Sequence, residues 1–248
     1  RQDYLVAEGL LSPYANGDET PPALQQMALA RLRQLAAHEV GHTLGLGHNY
    51  YDSTAGRISV MDYPHPLVTL KADGSLDHSQ VYTDGIGEWD KVAIAYGYQD
   101  FAPGTNEARE LDNTLSAAFA RGLMYLTDQD ARPESSSSSV AHLWDNGRNA
   151  VDELSNVMRV RAAALRRFGE NNIREGAPLA TIEEALVPIY MYHRYQVEAA
   201  TKVIGGQDYT FSVKGKGDRH PQIVAPQEQR RALAIVLDTL KPESLAVP

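Results

Sequence analysis

Eleven residues of this chain, His38-Glu39-Val40-Gly41-His42-Thr43-Leu44-Gly45-Leu46-Gly47-His48, set three imidazoles and one carboxylate at fixed offsets. On a helix, residues four apart lie on one face, one turn above each other. His38 and His42 can therefore offer two ring nitrogens to one ion. Glu39 follows His38 directly, so its carboxylate projects beside the ion rather than onto it. A base needs that place if it is to take a proton from water that the ion acidifies. His48 lies six residues past His42, about 1.7 helical turns, and would point away on the same helix. The chain must break and fold back. Gly45 is the residue type that does this cheaply, because glycine adopts positive φ at a helix end. Three protein ligands leave the fourth position of a zinc ion open, the mark of a catalytic site rather than a structural one. The plain alternative is an amphipathic helix with two incidental histidines.

Taken together, the stretch resembles the long zinc signature of the metzincin metallopeptidases, His-Glu-x-x-His-x-x-Gly-x-x-His. Ser59-Val60-Met61-Asp62-Tyr63 follows, with Met61 thirteen residues after His48, and is similar to the methionine turn of that family. The resemblance implies Zn2+ held by His38, His42 and His48, with Glu39 as general base and Met61 as the floor of the site. It also implies that Tyr63 approaches the ion or the oxyanion, although a tyrosine beside a turn is as often simply packed. Ile86-Gly87-Glu88-Trp89-Asp90-Lys91-Val92-Ala93-Ile94-Ala95-Tyr96-Gly97-Tyr98 resembles the helix after the methionine turn in a family of large bacterial zinc-dependent metallopeptidases. Ile204-Gly205-Gly206 and Pro242-Glu243-Ser244-Leu245 are similar to that family too. The implied activity is hydrolysis of peptide bonds in a peptide or protein substrate. Two other readings stay open: a zinc-holding scaffold or protein-binding module without turnover, and hydrolysis of an amide in a non-protein substrate. A scaffold would have no need of Glu39.

Composition narrows the field. The 248 residues carry a net charge of −9, which argues against a nucleic-acid partner, since phosphate binding needs a positive face. There is no cysteine, so disulfides and thiolate metal sites are excluded. No apolar run approaches the roughly 18 residues of a membrane span. The chain begins at Arg1 without a signal peptide, as a processed or cut product would; an extracellular or periplasmic location is expected. Metzincin catalytic domains resemble one another in having a twisted sheet before the zinc helix. Only 37 residues precede His38, and many look helical, so that sheet is expected to be largely absent and the chain to be a fragment of a larger enzyme. The fold expected is mainly α. Residues 1–98 form the zinc-helix and methionine-turn part of a metzincin-like catalytic domain. Residues 99–248 form a helical C-terminal region with a small β-hairpin, the two joined near residues 98–105.

The elements that position the motif follow from local pattern. Leu5, Val6, Leu10 and Leu11 suggest a short helix, and Asn16-Gly17-Asp18 a turn. Thr20 offers an N-cap, and Pro21 and Pro22 start a helix over about 22–45. Its apolar positions Leu24, Met27 or Ala28, Leu32, Leu35 and Val40 keep helical spacing. Residues 49–84 read as loop with a short strand near 67–70. Within them His65 and His78 are spare ligands or, better, solvated histidines. Asp52 and Asp62 can orient a ligand imidazole or cap turn amides. Helices are expected from Gly87 to Tyr96, stopped at Gly97, and over 104–122, with a strand at Leu123–Leu126. Asp128, Asp130 and Glu134 read as a solvated acidic loop rather than a hard-cation site. Ser135–Ser139 reads as a mobile low-complexity run. Helical spacing resumes over 149–169. Thr181 and Glu184 suggest a capping box before one helix that runs through His193 to Ile204, kinked at Pro188. His193, on its apolar stripe, is a core histidine or reaches the ion. Tyr209, Phe211 and Val213 alternate as a strand, Lys214-Gly215-Lys216-Gly217 makes a turn, and Gln222–Val224 pairs back. A last helix spans about Pro226 to Leu240.

Overall fold

The computed structural model describes residues 2–17, 21–214 and 220–246. The expected cap at Thr20, Asp18 of the first turn, and Gly215, Lys216 and Gly217 lie outside the described residues. Helix α1 spans Gln2–Leu11 and α2, the helix of the zinc motif, spans Pro22–Thr43 with proline at its first position. A one-turn helix α3, Asp52–Ala55, interrupts what the sequence suggests is loop. Strands β1 (Thr69–Leu70) and β2 (Leu76–Asp77) then form an antiparallel hairpin. Helices α4 (Glu88–Tyr98), α5 (Glu107–Ala120), α6 (Asp128–Ala131) and α7 (Ala150–Leu165) follow. Next come α8 (Ile182–Tyr190) and α9 (Arg194–Lys202). A second hairpin pairs β3 (Gln207–Asp208) with β4 (Gln222–Ile223). Helices α10 (Pro226–Asp238) and α11 (Pro242–Leu245) close the chain. Among the described residues the protein is mainly helical, with two small antiparallel hairpins.

The largest core cluster joins Val6 and Leu10 of α1, Leu24 and Met27 of α2, Val157 and Val160 of α7 and Ile189 of α8. It draws on both sides of residue 98. Helices α1 and α8 approach so closely that a Cβ on Gly9 would lie 2.0 Å from Ile189 Cγ1. The buried stripe of α2 differs from the expected one. Leu24, Met27, Gln34, His38 and Gly41 are buried, whereas Leu32 is 59 % and Val40 55 % exposed. The reason is polar. Gln34 Nε2 donates to Val60 O at 3.2 Å and its Oε1 accepts from Arg31, so a glutamine takes a core position that hydropathy would assign to leucine.

Other departures have local causes. Helix α4 runs through Gly97 to Tyr98, because Gly97 does not take the positive φ that ends helices. Leu123–Leu126 forms no ladder; Tyr50 N–H donates to Leu126 O at 2.7 Å, and the Asn49 amide serves Leu126 N–H at 3.2 Å and Met124 O at 2.9 Å. A side chain here does the work of a neighbouring strand. Within the serine run, Ser135 is exposed and the later serines pack. Ser138 is fully buried, and Gln207 bonds Ser137 O at 2.7 Å and Ser139 N–H at 3.0 Å. The expected long helix is broken into α8 and α9, because Arg161 Nε takes the Tyr190 carbonyl at 2.8 Å, the acceptor that Arg194 N–H would have used. Thr181 makes no box; its hydroxyl donates to Pro178 O at 2.7 Å. Past Asp208 the expected strand lapses, and Phe211 and Val213 are exposed.

At the start of α4 a Cβ on Gly87 would fall 1.8 Å from Ile58 O, whereas one on Gly97 would meet nothing within 4 Å. Gly87→Ala should cost about 1–3 kcal/mol or more through overpacking. Gly97→Ala should gain roughly 0.5–1 kcal/mol of helix propensity. Urea midpoints should therefore move in opposite directions; a shared direction would contradict the close approach at Gly87.

Candidate metal centre

The last two turns of α2 present His38 and His42 with ring centroids 4.7 Å apart. The helix then closes. Gly45 takes φ +83°, with its N–H on His42 O and Leu46 N–H on Gly41 O, both at 3.0 Å. The chain folds back and brings the His48 ring to 5.3 Å from His38 and 4.7 Å from His42. One nitrogen from each histidine lies within 4.8 Å of the other two. His42 Nε2 and His48 Nε2 are 3.2 Å apart, close to the ~3.3 Å that two Zn–N bonds of 2.0–2.1 Å impose in a tetrahedron.

Each imidazole is held by its other nitrogen. The Nδ1 of His38 meets Val60 O at 2.8 Å, that of His42 meets Leu46 O at 2.9 Å, and that of His48 meets Asp128 Oδ2 at 2.8 Å. These acceptors keep the proton on Nδ1 and leave the Nε2 lone pairs facing one another. His38 Nε2 is buried with no hydrogen-bond partner among the described residues, which is the expected cost of a site shaped for an ion. Burial lowers the His38 pKa, against the raising effect of Val60 O, and so favours the neutral, ligating form. Three imidazole nitrogens are a donor set that fits zinc, as it fits copper, iron and nickel.

Met61 lies beneath this turn, 1 % exposed. A Cβ on Gly41 would come 2.3 Å from Met61 Sδ, so a larger residue there would have to push the sulfur aside. Asn49 N–H donates to Met61 O at 2.8 Å, tying this segment to the residue after His48. Glu39 is exposed beside His38. Tyr63 is brought to the site, its ring 4.6 Å from His38 and 4.9 Å from His48. It stacks on Trp144 at 5.2 Å, and Arg132 sits 5.9 Å from its centre. Trp144 holds a left-handed φ of +62°, a strained setting for a bulky residue, and its N–H donates to Tyr63 O at 2.8 Å.

The remaining candidates go elsewhere. His65 is buried rather than solvated, packed on Tyr192 at 4.8 Å, and burial pushes its pKa down to about 3. His78 and His193 are half-buried and outside the histidine group. Asp52 Oδ1 accepts Ser59 N–H at 2.6 Å, and Asp62 Oδ1 accepts Tyr63 N–H at 2.6 Å, so both cap amides. Asp130 caps Thr127 N–H at 3.0 Å and takes the Tyr209 hydroxyl at 2.9 Å; Glu134 is exposed. The carboxylate that does reach an imidazole is Asp128, read from the sequence as part of a solvated loop. Partial burial pushes its pKa up, but hydrogen bonds from Arg132 and His48 win and hold it at about 2. Eighty residues separate it from His48, and no local pattern links the two.

A family model described as Met-zincin matches residues 20–248. The chain belongs to the Met-zincin family. Comparison with curated proteins and with solved structures returned no match. In this Met-zincin the histidine cluster thus sits in a chain whose family implies zinc.

This Met-zincin also buries three acidic residues, Asp52, Asp62 and Asp145. Burial raises Asp52 and Asp145 to about 7 and pushes Asp62 well above the carboxylate range. Asp145 Oδ2 accepts the Ser53 hydroxyl at 2.8 Å, while its Oδ1 has no hydrogen-bond partner among the described residues. An acid whose folded pKa is raised binds its proton more tightly when folded. Its contribution is complete below the unfolded value of 3.8 and is lost as pH rises through about 7. Melting temperature should therefore fall between pH 4.5 and 7.5, by at most about 1.4 kcal/mol of stability per pH unit and group. Asp145→Asn keeps the acceptor for Ser53 and should flatten that decline; an unchanged slope would contradict a buried, protonated Asp145.

Proposed function

We propose that this Met-zincin is a zinc-dependent peptidase, with Glu39 as general base. The observation that supports it best is the convergence of three Nε2 atoms whose partner nitrogens are already committed. His38, His42 and His48 would hold the ion. When bound, zinc supplies acidification of water and polarisation of a carbonyl. Glu39, adjacent in sequence to His38 and exposed, accepts the proton of the attacking water and delivers it to the leaving amine. Tyr63, packed between the His38 and His48 imidazoles and Trp144, would donate its hydroxyl to the developing oxyanion. Met61 acts as the methionine-turn floor through its contact at Gly41.

The outer face of α2 fits the same reading. Leu29 is 51 %, Leu32 59 % and Val40 55 % exposed, an apolar side beside Glu39 on which the sheet implied by the metzincin resemblance would pack. We read the chain as the part of a larger peptidase that holds the ion, with the substrate-supporting sheet supplied by a preceding segment.

Zinc content and turnover of a quenched peptide should be measured on this chain and on a version extended at its N-terminus. Glu39→Gln should retain zinc and lose roughly 10²-fold or more in turnover. His42→Ala should lose both. A fully active Glu39→Gln protein would remove Glu39 from its role, and zinc without turnover in any form would favour the scaffold reading.

A further inference from the structure

We propose that Asp128 is a positioning residue of the metal centre, which sets how tightly the ion is held by fixing the His48 imidazole. This rests on the zinc reading above. His38 and His42 ride on α2, and their Nδ1 atoms lean on backbone carbonyls. His48 has no helix beneath it: residues 46–49 are irregular, so its ring needs an outside hold. That hold is the one charged anchor of the three, Asp128 Oδ2 at 2.8 Å.

The carboxylate is itself braced. Its Oδ1 accepts Arg132 Nε and the Tyr50 hydroxyl at 3.3 Å. Arg132 Nη2 donates to the Tyr50 oxygen at 2.9 Å, and Tyr50 is fully buried. One oxygen thus fixes Asp128 while the other fixes His48. The helix that carries Asp128 is secured in turn, because Lys202 Nζ of α9 donates to Ala131 O at 2.7 Å and Ala141 O at 3.0 Å. The C-terminal half of the chain thereby completes a site whose ligands all lie in the first fifty residues.

Carboxylates bonded to ligand imidazoles typically change metal affinity 10–100-fold when removed. Zinc affinity should be measured by competition with a chromophoric chelator, and the Co2+-substituted absorption spectrum recorded, for the unmodified chain, Asp128→Asn, Arg132→Met and His42→Ala. Asp128→Asn should bind zinc roughly ten-fold or more weakly and shift the Co2+ bands, with the melting temperature of the metal-free protein preserved. Arg132→Met should weaken binding less, because the bond to His48 remains. Asp128→Asn binding within threefold of the unmodified chain would overturn the proposal. So would a loss that Arg132→Met reproduces in full along with a matching fall in metal-free melting temperature, since that is the behaviour of a merely structural contact. His42→Ala separates the two readings. If it binds as the unmodified chain does, the histidine cluster is not the metal site and the function reading fails with this one. If it loses zinc while Asp128→Asn does not, only this inference fails.

Discussion

The peptide group of Val60 is the joint on which the rest turns. Its carbonyl receives His38 Nδ1 at 2.8 Å and Gln34 Nε2 at 3.2 Å, and its N–H goes to Asp90 Oδ2 at 2.8 Å. Asp90 in turn accepts Gly87 N–H at 2.7 Å and the Ser59 hydroxyl at 2.6 Å, which starts α4. One backbone unit therefore ties the buried polar face of α2, the orientation of the His38 ring and the entry of the next helix. Buried polar groups are expensive unless paired, so the pairing leaves α2 little freedom to rotate, and the histidines inherit that precision.

The centre was legible where its chemistry is local and illegible where it is not. His38, Glu39, His42 and the glycine turn to His48 follow from helical geometry and from the φ freedom of Gly45. The burial of Gln34 does not, because a glutamine enters a core only when a distant carbonyl waits for it, and Val60 lies 26 residues away. Asp128 was missed for the same reason at longer range. Hydropathy also misassigned the faces of α2, placing Leu32 and Val40 inside when they are outside, because a period of 3.6 marks an apolar stripe without saying which neighbour covers it. The split between α8 and α9 turns on an arginine from α7 capturing a carbonyl, a competition that only the folded chain contains.

The three histidines are not equivalent. Two take their orientation from neutral carbonyls within the segments that bear the motif, and the third from a charged group on a distant helix. Pairing a carboxylate with a loop imidazole suits the physics, since a charged hydrogen bond is about twice as strong as a neutral one and the loop has no ladder of its own. Around this pair, Tyr50, Tyr63 and Arg132 form a packed rim, with Trp144 held against Tyr63 by both ring and backbone.

The contact between Met61 and Gly41 has a redox consequence. A thioether wedged against a helix backbone has no room for the extra oxygen of a sulfoxide, and at 1 % exposure peroxide cannot reach it in the closed protein. Oxidation of this sulfur would thus require the floor to swing away from α2 first, and the added polarity would keep it from reseating. The same tight fit that supports the histidines would make such damage rare and, once done, self-perpetuating.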